Sequence, residues 1–191
     1  MTGLIILAAG QSARMGRPKQ KLLYQGDTLL QHAVKTALAS VCEPVVVVLG
    51  AFADELLSDI ESYPVKVIIN QNWDEGMASS IRAGITQLQN IPGVSNALIM
   101  LCDQPHVNAT LLDQMIQTKQ RHAKGIVACA YNNTIGVPVL FGESYYPYLL
   151  SLTGHEGAKK ILTAHTDDIE TIVFPLGAVD IDTAEDYEGL G

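Results

Sequence analysis

Two features of the stretch Leu4-Ile-Ile-Leu-Ala-Ala-Gly-Gln-Ser-Ala-Arg-Met-Gly-Arg-Pro-Lys19 could do chemistry: small residues where the chain must turn, and cations just beyond them. Ala8, Ala9, Gly10, Ser12, Ala13 and Gly16 let backbone N–H groups approach a ligand closely. Consecutive N–H groups in a tight turn make an anion-binding nest. Arg14 offers a planar fork of donors and Lys19 a mobile point charge, and both match phosphate oxygens. Four of the twelve basic residues (Arg14, Arg17, Lys19, Lys21) lie within eight positions, and no acidic residue precedes Asp27. In a chain of formal charge −8, that island points to a phosphate site with a nucleoside triphosphate as guest. The spacing from Gly10 to Gly16 does not fit Gly-x-Gly-x-x-Gly, and no Gly-Lys-Ser/Thr follows. A dehydrogenase is a poor reading on that ground.

Carboxylates supply the second kind of chemistry. Asp103 follows the apolar run Ala97–Leu101 and precedes Gln104-Pro105, so it can point into a cleft. Magnesium takes hard oxygen ligands, often one or two carboxylates completed by phosphates and waters. The plainer role for Asp103 is to open a turn. A second carboxylate is expected from Asp180 or Asp182, which flank Ile181; in a strand both would face the same way. Ser79 and Ser80 stand at a predicted helix start, where they would face an anion or simply serve the helix end. Arg82, on the next turn, would reach an anionic acceptor. Trp73 reads as a ring platform or an ordinary core residue. His32, His106, His122, His155 and His165 lack metal-ligand spacing and are not read as zinc ligands.

These groups need elements to hold them. Leu4 to Leu7 suits a buried strand, and Pro44-Val-Val-Val-Val-Leu49 is the clearest such run. Val65–Ile69, Ala97–Leu101, Ile126–Tyr131, Val137–Phe141, Ile169–Phe174 and Val179–Ile181 also read as strands. Helical spacing covers Thr28–Ala39, Ala53–Ile60, Met77–Leu88, Leu111–Lys119, Ser144–Leu150 and Gly157–Ala164. A last helix starts at Thr183, with Asp186 three positions on. The β-α-β-α rhythm with continuous apolar strands predicts a mainly parallel sheet covered on both faces. Closeness of 126–131 to 137–141 predicts an antiparallel insertion or a turn over the site. Each chemical motif follows a predicted strand, which places all of them at the carboxyl edge of one sheet.

Composition narrows the function classes. With 191 residues and 48% hydrophobic content, the chain suits one domain with a sizeable core, and no linker divides it. Net negative charge argues against broad nucleic-acid binding. Nine of the twenty acidic residues fall between Glu156 and Glu188. Cys42, Cys102 and Cys129, odd in number and without Cys-x-x-Cys, read as reduced intracellular thiols. The first apolar run is too short for a leader, and no window approaches the ~20 apolar residues of a membrane span. A cytoplasmic setting is expected.

The segment Leu-Ala-Ala-Gly-x-Ser-x-Arg-Met-Gly-x-Pro-Lys resembles the signature of the MobA-like nucleotidyltransferases, and within them the molybdenum cofactor cytidylyltransferase branch. The likeness runs through Gly76-Met-Ala-Ser-Ser-Ile-Arg-Ala-Gly84, Asp103-Gln-Pro105, Gly136-Val-Pro-Val-Leu-Phe141, Gly154-His-Glu-Gly-Ala-Lys159 and Asp180-Ile-Asp-Thr-Ala-Glu-Asp186. It implies one domain over 1–191, of α/β class: a three-layer αβα, Rossmann-like nucleotidyltransferase fold whose mostly parallel sheet has a small antiparallel part. It implies magnesium-dependent transfer of CMP from CTP to the terminal phosphate of molybdopterin, and hand-over to a molybdoenzyme or its chaperone. Catalytic roles would fall to Arg14, Lys19 and Asp103. Leu7, Ala8, Ala9, Gly10, Ser12, Arg14, Lys19, Ser79 and Ser80 would bind the nucleotide. Asp103 and Asp180 would bind the metal, with Asp182 free to orient Thr183. Arg82, Gln104, Gly136 and Pro138 would serve the acceptor. At 155 and 159 the family more often has Asp and Arg, so His155 and Lys159 bear on acceptor specificity rather than on the transfer. Another phosphorylated acceptor, such as a sugar or polyol phosphate, or a non-catalytic nucleotide-binding delivery protein, are the other readings.

Overall fold

β1 (Thr2–Ala8) is buried along its whole length and sits inside the sheet. Its side chains alternate between two cores. Leu4, Ile6 and Ala8 pack with one set of helices, and Ile5, Leu7 and Ala9 with the other. A strand buried on both faces reads as an unbroken apolar run, which is why residues 4–7 carry no polar alternation. The computed structural model describes residues 1–190; Gly191 lies outside the described residues.

Two short strands, β2 (Leu23–Tyr24) and β3 (Asp27–Thr28), form a separate hairpin ahead of α1 (Leu29–Leu38). Thr28 caps α1 in a reciprocal box with Gln31. Then come β4 (Val45–Leu49), α2 (Ala53–Ile60), β5 (Lys66–Ile69), α3 (Met77–Gln89), β6 (Asn96–Leu101) and α4 (Ala109–Arg121). The rest is β7 (Ile126–Tyr131), β8 (Thr134–Gly142), α5 (Tyr146–Leu150), α6 (Ala158–Ala164), β9 (Ile169–Val173) and α7 (Ala184–Glu188).

The main sheet has seven strands in the order β5-β4-β1-β6-β8-β7-β9. Only β8 runs against its neighbours, pairing antiparallel with both β6 and β7. The single α/β domain therefore has a mostly parallel sheet with a small antiparallel part. α1, α2 and α4 cover one face; α3, α5 and α6 cover the other. The chain leaves β1 toward β4 and β5, then crosses back to β6 on the opposite side of β1. That reversal is the switch point where open α/β sheets gather their ligands.

One expected strand is absent. Val179–Ile181 follows a 3₁₀ turn at Pro175–Ala178 and joins no ladder. It passes over the end of the sheet instead, and the Ile181 N–H donates to the Asp103 carbonyl at 3.1 Å. Buried Ile181 fastens this crossing against Leu22 and Leu29. Because the segment is not a strand, Asp180 and Asp182 need not point the same way, and they do not share partners.

Candidate active site

The turn after β1 is held by a residue that the motif reading passed over. Gln20 is 1% exposed, and its Nε2 donates to the carbonyls of Ala8 and Gly10, each at 3.0 Å. Its Oε1 accepts from Ser12 Oγ at 3.3 Å, and Ser12 Oγ in turn accepts the Lys19 N–H at 3.1 Å. Ser12 thus shapes the turn, in a left-handed conformation (φ 53°), rather than projecting into it. These bonds occupy the carbonyls on one side of the loop.

Asp103 stands in the turn two residues past Leu101, the last residue of β6, which pairs with Leu7. It is 6% exposed. Lys19 Nζ donates to Asp103 Oδ2 and, at 2.9 Å, to Asp182 Oδ1. Arg14 Nη2 donates to Asp182 Oδ2 at 2.7 Å. Asp180 is exposed and makes no ion pair among the described residues, although its charge is felt at Asp103. The structure therefore brings Asp182, not Asp180, onto Lys19 beside Asp103.

Burial alone would lower the Lys19 pKa, but the Asp103 charge and the bonds to both carboxylates outweigh it, so the ammonium is held protonated. Burial pushes the Asp103 carboxyl up against the pull of Lys19. At Asp182 burial also acts upward, yet Lys19 and Arg14 prevail and its pKa falls. Cys102, next to Asp103, is pushed up to about 12 by burial and then by the Asp103 charge. A thiol so protonated is no nucleophile.

A cleft of about 350 Å³ opens here, lined by Leu7, Ala8, Ala9, Gly10, Gln11, Lys19, Leu101 and Asp103 on the strand side and by Ser80 of α3. Trp73, Asp74, Gly76, Met77 and His155 form the facing wall. Gly76 lets that wall close. Its φ is 109°, and a Cβ there would lie 2.5 Å from the Gly154 carbonyl oxygen. His155 is drawn in by this contact. Ala9 packs above Gly50, where a Cβ would lie 2.8 Å from the Ala9 methyl and 2.6 Å from Trp73 Cβ.

Other expected site residues hold the frame. Asn70, 7% exposed at the end of β5, donates from Nδ2 to Ser79 Oγ at 2.8 Å and Ser80 Oγ at 3.0 Å. Ser79 also donates to the Gly76 carbonyl at 2.8 Å, so it is spent on the helix start, and only Ser80 borders the cleft. Arg82 donates to Leu152 O at 2.8 Å and Glu75 Oε2 at 2.7 Å, bracing the facing wall. Gln104 Nε2 donates to Val137 O and Gly177 O, at 3.2 and 3.1 Å, and Gly136 packs against the Tyr131 hydroxyl. Neither Gly136 nor Pro138 borders this cleft.

The donor set fits a divalent ion. Asp103 Oδ1 is buried without a hydrogen-bond partner among the described residues, and two carboxylates already meet at one cation, the Lys19 ammonium. No group of three or more His, Cys, Asp or Glu is gathered among the described residues. An ion here would take its remaining ligands from phosphates and water.

The sequence pattern of the MobA-like NTP transferase domain matches residues 4–169. The chain belongs to that family. As a MobA-like protein it is a nucleotidyltransferase. Nicotine blue oxidoreductase of Paenarthrobacter nicotinovorans is 30% identical over 168 residues, covering 83% of this chain and 79% of that protein. Purine catabolism protein PucB of Bacillus subtilis is 25% identical over 194 aligned positions, covering 96% and 93%. The molybdenum cofactor biosynthesis bifunctional protein of Synechocystis sp. is 31% identical over 151 residues, 78% of this chain but 40% of that longer protein. Rv0371c of Mycobacterium tuberculosis H37Rv, crystallised in complex with manganese, superposes with a TM-score of 0.83 at 25% identity, over 99% of this chain and 97% of that one. Among the described residues, no helix is long and apolar enough to cross a membrane.

Proposed function

We propose that this MobA-like chain transfers CMP from CTP to the terminal phosphate of molybdenum-bearing molybdopterin, with magnesium as the divalent ion. The products are pyrophosphate and the cytosine dinucleotide cofactor. The observation that carries the transfer chemistry is Lys19 Nζ lying between Asp103 and Asp182 at the carboxyl ends of β1 and β6. A cation, two carboxylates and a turn of small residues that phosphates can approach are what in-line phosphoryl chemistry asks of a protein.

In this reading Ala8 to Gly10, Arg14 and Lys19 hold the triphosphate, and Leu7, Ala9 and Ser80 border the nucleoside. Asp103 and Asp182 would hold magnesium, with Asp180 at the rim. When bound, the ion neutralises charge on the phosphates and polarises the α-phosphorus. An oxygen of the acceptor's phosphate attacks that phosphorus. The bond from phosphorus to the α,β-bridging oxygen breaks, and its electron pair leaves with pyrophosphate. Lys19 and Arg14 stabilise the charge that develops on the phosphate oxygens. Arg82, Gln104, Gly136 and Pro138 shape the acceptor side from behind, through the contacts that fix the facing wall and β8.

Support for molybdopterin comes from the motif likeness and from the Synechocystis relative's molybdenum cofactor role. Hand-over to a molybdoenzyme or its chaperone, in the cytoplasm, belongs to the same reading. Incubation with each nucleoside triphosphate, magnesium and purified molybdopterin cofactor, following pyrophosphate, tests it. Release only with CTP and molybdopterin is expected. Release with a sugar or polyol phosphate in its place would reassign the acceptor. Oxidation of a reduced nicotinamide without pyrophosphate release would overturn the transfer reading.

A further inference from the structure

We infer that Lys19 is the resident counter-ion of the cation site, so that a divalent metal enters only as Lys19 leaves and metal and triphosphate binding are coupled through this one side chain. The inference rests on the reading of Asp103 and Asp182 as metal-holding carboxylates. Lys19 Nζ bonds one oxygen of each carboxylate, and Arg14 bonds the second oxygen of Asp182. Two cations offset the two carboxylates they bond, so that only the more distant charge of Asp180 is left to attract a metal ion. Yet Asp103 Oδ1 stays buried without a partner among the described residues, a ligand position that Lys19 does not fill.

Lys19 is placed to change partners. Its backbone is pinned by the Ser12 hydroxyl, and its side chain lines the cleft that a triphosphate would enter. A triphosphate in the turn competes for the ammonium with the carboxylates and frees them for the metal. Affinity for either ligand then rises when the other is bound, by the same factor.

Manganese ion, titrated without nucleotide and followed by the paramagnetic resonance of the free aquo ion, tests this directly. Lys19→Met leaves Asp103 uncompensated in a buried position and should bind Mn2+ at least ~10-fold more tightly than wild type. Adding Asp103→Asn to that variant should abolish the gain. Equal or weaker binding by folded Lys19→Met would overturn the inference. A wild-type measurement guards against misfolding of the variant. Lys19 acetylation, read by peptide mass spectrometry, should quicken when Mn2+ saturates the protein and slow when CTP is added as well. A rate that bound Mn2+ leaves unmoved would overturn it. Neither readout depends on turnover, so failure of pyrophosphate release with molybdopterin would count against the acceptor assignment alone.

Discussion

Asp103 and Asp182 share a cation but not an environment, and their substitutions should separate accordingly. Asp103 is buried, with one oxygen on Lys19 and the other unpartnered, whereas Asp182 is half-buried and held by two cations. Asp103→Asn keeps the size but removes the anionic oxygen that magnesium prefers, so turnover should fall roughly 10²–10³-fold. Asp182→Asn should cost less, about 10–100-fold, together with a raised magnesium midpoint. Asp180→Asn should stay near wild type, since Asp180 is exposed and unpaired among the described residues. Steady-state pyrophosphate release across a magnesium series distinguishes the three, and a larger effect at Asp180 than at Asp182 would reverse the assignment. Ala9 bears on the base instead. Its methyl fills the space above Gly50 beside Trp73. Ala9→Gly should therefore widen the cleft and narrow a preference for CTP over GTP without reversing it. A methyl-sized change is worth ~1–3 kcal/mol, or about 10–200-fold. Initial rates with CTP, UTP, GTP and ATP on both proteins measure this, and wild-type preference for GTP would remove the cytidylyl assignment.

At the level of elements, the facing wall depends on a latch between β5 and α3. Asn70 binds the hydroxyls of Ser79 and Ser80, and its Oδ1 accepts the Asn72 N–H at 3.0 Å. Asn70→Ala leaves the buried Ser80 hydroxyl unpaired while Ser79 keeps the Gly76 carbonyl, which costs ~1–3 kcal/mol. Chemical denaturation should show that loss, with KM for the nucleotide raised more than kcat falls because the wall and not the carboxylates is disturbed. Unchanged stability would mean Ser80 finds another partner. Asn70 and Gln20 were illegible in the sequence for one reason. Each is a neutral amide whose importance comes from burial against a distant carbonyl or hydroxyl, and neither spacing nor residue type announces that. The strands were legible because β1, β4 and β6 are buried on both faces and have polar residues only at their first positions, Thr2 and Asn96, leaving the run itself unblurred. Val179–Ile181 has the same alternation as a strand but crosses the end of the sheet at Asp103, with no ladder to join. The shared direction expected of Asp180 and Asp182 went with the strand, whereas the choice of Asp180 came from the family motif and not from a pleat.

Charge on the whole molecule sets a last expectation. The basic island stood out in a chain of formal charge −8, but folding answers most of it. Arg14 meets Asp182, Lys19 meets Asp103 and Asp182, and Lys21 lies 3.8 Å from Asp59, which leaves Arg17 as the cation of the four without an ion pair among the described residues. Four cations against three carboxylates give the phosphate turn little net field, while the rest of the chain repels anions. CTP alone should therefore bind weakly, and so should magnesium alone, whereas the pair supplies both missing charges. At a ligand concentration 100 times Kd, binding adds ~2.7 kcal/mol to stability. For a domain of this size, that raises Tm by roughly 5–10 °C. Differential scanning calorimetry should show that rise for magnesium and CTP together and much less for either alone. A full shift with CTP and chelator would mean that the turn binds triphosphate without help from the carboxylates, and that Lys19 and Arg14 are free to meet it from the start.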